Sequence, residues 1–266
     1  AGLPPVTGLY TTVACLLGYA VFGPSRVLVL GPDSSVSPLI FAAIVPLLAG
    51  GDPATAIALA GMLALLVGLI EVGLGLGKLG FVADLLSNEV QVGYMNGLAL
   101  TIIISQLPKL FVDEIRQFVQ HVDETDASTL AVGLGVLAVL LVLPRIVPRI
   151  PAILVGVVGA TVICAALGLA DEGVATVGAL PQGVPTPSLP WTQLSDVGPL
   201  LAAAAGITLV SLADTIATAT SFAARRGEEV DPNQEMIGMG AANLAAGFFQ
   251  GFSVSTSGSR TAVAEQ

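Results

Sequence analysis

Apolar runs of about 20 residues, the length that crosses a bilayer, recur along the whole chain and restrict it to a membrane fold. A water-soluble core does not need so many runs of this length, and a signal peptide would supply only one. We predict spanning helices at 8–22, 34–49, 54–76, 88–107, 128–147, 150–169, 198–222 and 233–249, and a last one that begins near Ser255.

The composition agrees with a membrane location. Only 11% of the residues are charged and 54% are hydrophobic, whereas roughly 25% are charged in a typical soluble domain. The 31 glycines and 17 prolines, many of them inside the apolar runs, favour closely packed and interrupted helices. The sequence therefore predicts an all-α, multi-pass protein embedded in the lipid bilayer of a cell membrane, either a bacterial inner membrane or a plasma membrane.

The basic residues orient the predicted helices. If the spans alternate in direction, most of the cations fall on one side, which is the cytoplasmic side in membrane proteins; they are Arg26, Lys78, Arg145, Arg149, Arg225 and Arg226. The opposite side carries Lys109 and Arg116 among acidic loops such as 113–126. The net charge of −10 then reflects an acidic outer rim, and the absence of a basic patch argues against nucleic acid as a partner.

The segment 253–261, Ser-Val-Ser-Thr-Ser-Gly-Ser-Arg-Thr, is unusually polar for its apolar surroundings. Such a segment is tolerated in hydrocarbon only where it lines a buried polar cavity. Hydroxyl residues at a helix start leave amide N–H groups facing outward, the helix dipole favours negative charge there, and Arg260 adds a permanent positive charge. The segment predicts a site for an anion inside the membrane.

A second segment, VLVLGPDSSVS at 27–37, resembles FQGFSVSTSGSRT at 249–261. Each has an extended approach, a glycine and a hydroxyl-rich helix start. The predicted topology gives the two helices opposite directions. Two discontinuous helices of opposite direction are typical of an inverted repeat with a binding site near the bilayer midplane.

Asp214 is an ionisable residue within the predicted span 198–222, where a charged side chain costs about 2.5–3.5 kcal/mol or more. Thr218, four residues later, shares its helical face. We expect a functional role for Asp214, with a structural pair to Arg260 or to a backbone terminus as the alternative. For the polar residues Glu71, Asn96, Gln106 and Asn243 we expect hydrogen bonds between helices.

The sequence contains no nucleophile–base pair, no metal-ligand cluster and no phosphate-binding loop in the required context. We therefore expect no enzymatic activity, no metal and no cofactor.

Several motifs in order resemble the sulfate permease (SulP) family of anion transporters. They are AGLPPVTGLY at 1–10, FGPSRVLVLGPDSSVS at 22–37, KLGFVADLLSNEVQVGYMNG at 78–97, QLPKLF at 106–111, NQEMIGMGAANLAAGFFQGF at 233–252 and SRTAVAEQ at 259–266. The resemblance implies a fold of two inverted seven-helix repeats divided into a moving core and a gate. It also implies that 1–266 is an incomplete transmembrane domain, from the second span to the start of the tenth, without a STAS domain.

The resemblance further implies that an anion binds between the starts of two discontinuous helices. Matched by position, the binding residues are Asp33, Ser34 and Ser35 at one helix and Ser257, Gly258, Ser259 and Arg260 at the other. Asp214 and Thr218 are expected to bind the coupling ion. Helix capping is the alternative role for the serines.

Asp33 departs from the family, in which a small, hydroxyl or apolar residue usually follows the Gly-Pro pair. A carboxylate there repels an anion unless it is protonated or paired with Arg260 or with a cation. A part in proton or sodium coupling and a purely capping role are both open for Asp33.

We predict a secondary transporter of a small anion, such as sulfate, bicarbonate, chloride or a dicarboxylate, coupled to H⁺ or Na⁺ and working by alternating access. The family resemblance implies a homodimer of the full-length protein. The alternatives are a passive anion channel or uniporter on the same scaffold, a nucleobase carrier, and a membrane scaffold or sensor that transports nothing.

Overall fold

The computed structural model describes residues 2–48, 52–81, 96, 100, 127–147, 150, 152–169, 174, 183 and 185–265. The chain forms two compact units, a larger one of Ala1–Leu98 with Pro181–Gln266 and a smaller one of Ala99–Leu180. The predicted span at 88–107 lies outside the described residues except for Asn96 and Leu100, and so do Gln106 and the acidic loop 113–126.

The larger unit contains six of the helices described here and one two-stranded sheet. Its elements are α1 (Pro5–Phe22), β1 (Leu30–Gly31), α2 (Ser37–Ile44) with a 3₁₀ turn (Val45–Leu47), α3 (Pro53–Leu76), α6 (Leu194–Arg226), α7 (Pro232–Phe248), β2 (Ser255–Thr256) and α8 (Gly258–Ala264). The smaller unit contains α4 (Ala127–Ile146) and α5 (Ala152–Leu167). Among the described residues, four helices are long and apolar enough to cross a membrane: α1, α3, and the greater part of α4 and of α6.

Local sequence fixes where the long helices begin. The Asp52 side chain accepts a hydrogen bond from Ala54 N and precedes Pro53 in the first turn of α3. Asp231 caps α7 in the same way, ahead of Pro232. The side chain of an acidic N-cap accepts hydrogen bonds from N–H groups of the first turn, which have no partner within the helix. Proline suits the next position because it has no N–H group that would need a partner.

Two predicted spans differ from the observed helices. The predicted helix 34–49 begins only at Ser37, because Asp33 closes a turn by accepting hydrogen bonds from Ser35 N (2.8 Å) and, through its carbonyl oxygen, from Ser37 N (3.1 Å). The predicted helix 198–222 extends over Leu194–Arg226. A capping box at Gln193 starts it upstream of Pro199, and Gly227, with φ of 68°, ends it.

Glycine contacts let α7 pack closely against both α3 and α1. A Cβ atom on Gly68 of α3 would lie 2.7 Å from the carbonyl oxygen of Gly240 on α7. On the opposite side, a Cβ on Gly18 of α1 would lie 2.8 Å from Ala241 O. Small residues at such crossings allow the two backbones to come into van der Waals contact. In a membrane, where the hydrophobic effect does not drive helices together, this close packing stabilises their association.

Buried apolar side chains complete the core of the larger unit. One cluster joins α2, α3 and α6 through residues such as Ile40, Leu63 and Ile207. A second cluster joins α1, β1 and α7 through Cys15, Leu30 and other buried residues, and reaches Val254 next to β2. The two discontinuous segments, β1 with α2 and the chain that leads into β2, therefore pack against continuous helices.

We expect Gly68→Ala to lower the free energy of unfolding by about 1–3 kcal/mol, because the added methyl group clashes with backbone atoms of α7. The measurement is thermal or denaturant unfolding of the full-length protein in detergent. Gly73→Ala on the same helix is the matched control, because no described atom beyond the local backbone of α3 lies within 4 Å of its Cβ position. Equal stabilities of the two variants would contradict the packing of α3 on α7.

Candidate functional site

Two short extended segments meet at the centre of the site. β1 and β2 pair antiparallel, with Leu30 opposite Thr256 and Gly31 opposite Ser255. Outside the strands, Ser257 N donates to Val29 O (3.0 Å) and Val29 N donates to Thr261 Oγ1 (3.1 Å). The pairing joins the extended segments that lead into α2 and α8 and confirms the predicted pair of discontinuous helices with extended approaches.

At the start of α2, Asp33 organises the turn. Its Oδ2 atom accepts hydrogen bonds from the Ser35 N–H and the Ser35 hydroxyl, and its carbonyl oxygen accepts from Ser37 N and Ser37 Oγ. Ser35 is buried, whereas Ser34 is exposed. The capping role considered for Asp33 is thus present in the structure, and the Ser34 side chain of the same turn is exposed.

At the start of α8, Ser257 caps the helix by accepting a hydrogen bond from Arg260 N. Gly258 is exposed, and Ser259 lies in the first turn, with its side chain outside the described atoms. These residues lie where the motif comparison predicted them, at a helix start directly after β2.

Arg260 connects α8 to the opposite segment. Its guanidinium donates to the carbonyl oxygen of Pro32, and a Cβ atom on Gly31 would lie 2.6 Å from its Nη1. Within the described residues, no ion pair joins Arg260 to Asp33 or to Asp214. In the described part of the chain the guanidinium thus contacts a neutral carbonyl oxygen, and a structural pair between Arg260 and Asp214 stays a hypothesis.

Asp214 approaches the site from α6. The half-buried carboxylate accepts a hydrogen bond from Ser255 Oγ (3.2 Å) in β2. The next residue, Thr215, is buried and exchanges a hydrogen bond with Thr256 (2.8 Å between hydroxyl oxygens). Two successive residues of α6 thus bind two successive residues of β2.

The contacts of Thr215, Ser255 and Thr256 were not predicted. The hydroxyl-rich segment drew attention to 253–261 as a whole, but nothing in the sequence paired its members with α6. Thr218, selected because it shares the helical face of Asp214, lies half-buried one turn further along α6. Of the other polar residues in spans, Glu71 and Asn243 are confirmed as partners across helices, at 2.8 Å between Asn243 Nδ2 and Glu71 Oε2, while Asn96 is exposed.

Sequence comparison finds curated relatives that match the whole chain. A probable sulfate transporter of Mycobacterium tuberculosis is 43% identical over 274 residues, which cover 100% of this chain and 49% of that protein. The chain therefore spans about half the length of the curated relatives it matches. These relatives are transporters, in line with the expectation that the chain is not an enzyme.

Two solved structures superimpose on nearly the whole chain. The murine solute carrier 26 member A9 anion transporter, in an inward-facing state, gives a TM-score of 0.75 at 25% identity and covers 99% of this chain and 48% of its own. The transmembrane domain of a cyanobacterial bicarbonate transporter gives 0.72 at 22% identity, with 98% and 72% covered. The second likeness shows the fold alone.

These likenesses confirm the predicted all-α multi-pass membrane fold with its inverted-repeat architecture. The family model described as the sulfate permease family matches residues 1–266. The chain belongs to the sulfate permease family.

Proposed function

We propose that the full-length protein moves small anions across the membrane by alternating access, with a coupled cation bound at Asp214. The pairing of β1 with β2 is the observation that carries this proposal. It links the segment that carries Arg260 to Pro32 and to Asp214 through hydrogen bonds, which supports a shared site for one ligand.

The anion is held between the starts of α2 and α8. Backbone N–H groups of the first turns and the positive ends of the two helix dipoles face this space. The exposed Ser34 and Gly258 border this space, and the guanidinium of Arg260 donates to the carbonyl oxygen of Pro32. The other residues of the same two turns are Ser35, Ser257 and Ser259. Such a site recognises charge more than identity, so sulfate, bicarbonate and dicarboxylates are all suitable ligands.

The cation binds at the carboxylate of Asp214. In the described part of the chain, Ser255 Oγ donates a hydrogen bond to this carboxylate (3.2 Å), and Asp33 lies at the start of α2. Among the described residues no ion pair joins Arg260 to Asp214, so a proton or Na⁺ at Asp214 removes a negative charge that would repel the anion. Thr218, half-buried one turn away, is a candidate second ligand for the ion. Binding two opposite charges together reduces the cost of crossing hydrocarbon.

The organisation of the whole protein is part of the same proposal. We place 1–266 as an incomplete transmembrane domain, from the second span to the start of the tenth, and we place the missing spans and a STAS domain elsewhere in the full-length protein. The full-length protein acts as a homodimer. The probable sulfate transporter among the relatives makes sulfate the first anion to test, and the bicarbonate transporter of similar fold makes bicarbonate the second.

We expect Asp214→Asn to lower gradient-driven uptake strongly, because the neutral amide takes up no proton and lacks the negative charge that attracts Na⁺. In proteoliposomes of the full-length protein, uptake of labelled sulfate and bicarbonate is measured with and without inward Na⁺ and H⁺ gradients, and the gradient-dependent rate should fall at least about tenfold, or 1.4 kcal/mol. Asp52→Asn, at the exposed cap of α3, is the matched control. Uptake indifferent to both gradients and to the variant would indicate a channel or uniporter and leave Asp214 a structural residue.

Asp33→Asn separates coupling from capping. Asparagine retains an oxygen that can accept from Ser35 N, so the turn should survive while the negative charge is lost. We expect the Na⁺ or H⁺ dependence of uptake to shift, because the charge beside Asp214 has gone. The same uptake assay over a range of Na⁺ concentration and pH is the measurement. An unchanged dependence would restrict Asp33 to capping.

We expect Arg260→Gln to raise the half-saturating anion concentration about tenfold or more, since hydrogen bonds to charged groups contribute about 1.5–3 kcal/mol. Saturation of uptake is measured, together with thermal stability to detect a folding defect. Arg225→Gln, which removes an exposed arginine paired with Glu265, is the control. Equal saturation curves for the two variants would exclude Arg260 from the anion site.

A further inference from the structure

A fully buried carboxyl group lies within α3, apart from the binding site. Glu71 has no exposed surface, and its two oxygens contact neutral groups: Oε1 lies 2.7 Å from Ser211 Oγ on α6 and Oε2 lies 2.8 Å from Asn243 Nδ2 on α7. Along the described part of these two helices, the charged residues closest in sequence to Ser211 and Asn243 are Asp214 and Glu235, both acids. A carboxylate buried without a cation is strongly disfavoured.

The hydrogen-bond pattern around Glu71 is complete when the group is neutral. Ser211 Oγ also lies 3.2 Å from Thr208 O, and a hydroxyl has one proton to donate. An ionised Glu71 takes that proton and leaves the contact to Thr208 O without a donor. A protonated Glu71 donates to Ser211 Oγ, the Ser211 proton then goes to Thr208 O, and Asn243 Nδ2 donates to Oε2. Every contact is satisfied without a buried charge.

Asn243 links this carboxyl group to the binding site. Its Oδ1 atom accepts hydrogen bonds from Ser253 Oγ (3.0 Å) and Val254 N (2.9 Å), while its Nδ2 atom donates to Glu71 and, at 3.3 Å, to Met239 O. Because Glu71 accepts from Nδ2, the Asn243 amide is oriented with its Oδ1 atom towards Ser253 and Val254. Ser253 and Val254 lead directly into β2, whose Ser255 binds Asp214.

We propose that Glu71 is a positioning residue: its protonated carboxyl group orients Asn243, and Asn243 holds the segment 253–254 so that β2 is in the binding geometry. The effect on anion affinity rests on the proposed function, whereas the protonation of Glu71 and the ordering of β2 do not.

The protonation state is measured by infrared spectroscopy of the full-length protein at neutral pH. A protonated carboxyl group has a carbonyl band that a carboxylate lacks. We expect the difference spectrum between wild type and Glu71→Gln to show the loss of one such band. Its absence from the difference spectrum would mean that Glu71 is ionised and would overturn the proposal.

The positioning role is measured by hydrogen exchange of the segment 253–256. Glu71→Gln reproduces the neutral group, because its carbonyl oxygen accepts from Asn243 and its amide donates to Ser211, so we expect exchange and anion affinity within about twofold of wild type. Glu71→Leu removes the acceptor for Asn243, so we expect exchange about tenfold faster and affinity about tenfold weaker. Should Glu71→Leu not fold, Glu71→Met, with its flexible side chain, takes its place.

Ser211→Ala is the matched control, because it removes a hydrogen bond from the other oxygen of the same carboxyl group. Exchange of 253–256 should stay near the wild-type rate in this variant, since the contact with Asn243 remains. Equal acceleration in Ser211→Ala and Glu71→Leu, or none in Glu71→Leu, would overturn the proposal. If the wild-type protein takes up no anion, the proposed function fails, yet the infrared and exchange measurements still decide the role of Glu71.

Discussion

The backbone hydrogen bonds between β1 and β2 are the constraint on which the rest of the larger unit depends. Both segments interrupt apolar surroundings, and each carries N–H and C=O groups that hydrocarbon cannot satisfy. Because each strand is the partner of the other, neither can exist alone in this conformation. The helix starts that follow them are brought together by the same requirement.

The helix α7 packs against β1 and is hydrogen-bonded to the chain that leads into β2. Its small residues allow close contact with α1 through Gly18 and with α3 through Gly68. Close packing in turn puts Asn243 within reach of both Glu71 and the chain that leads into β2. A larger residue at either glycine would separate the helices and lengthen these hydrogen bonds, so the packing of small residues and the geometry of the site are coupled.

The distribution of charge at the site follows from what each group binds. The guanidinium of Arg260 is held by a backbone carbonyl oxygen, that of Pro32, so its position does not depend on a carboxylate. Asp33 is bound by the turn that it caps, and Asp214 by a serine hydroxyl of β2. These neutral partners hold groups of both signs of charge in the same part of the larger unit, and the proposed coupled transport rests on that arrangement.

The class of fold and the two hydroxyl-rich segments, 27–37 and 249–261, can be predicted from local composition. Apolar runs of spanning length specify membrane helices, and polar residues such as Arg260 and Asp214 within them indicate a polar site. Which groups contact each other is set by tertiary packing. The register of β1 on β2, the pairing of Thr215 with Thr256 and the orientation of Asn243 by Glu71 depend on contacts between residues 41 to 226 positions apart. Side-chain periodicity places a residue on a face of its own helix, but the partner on another helix is set by packing.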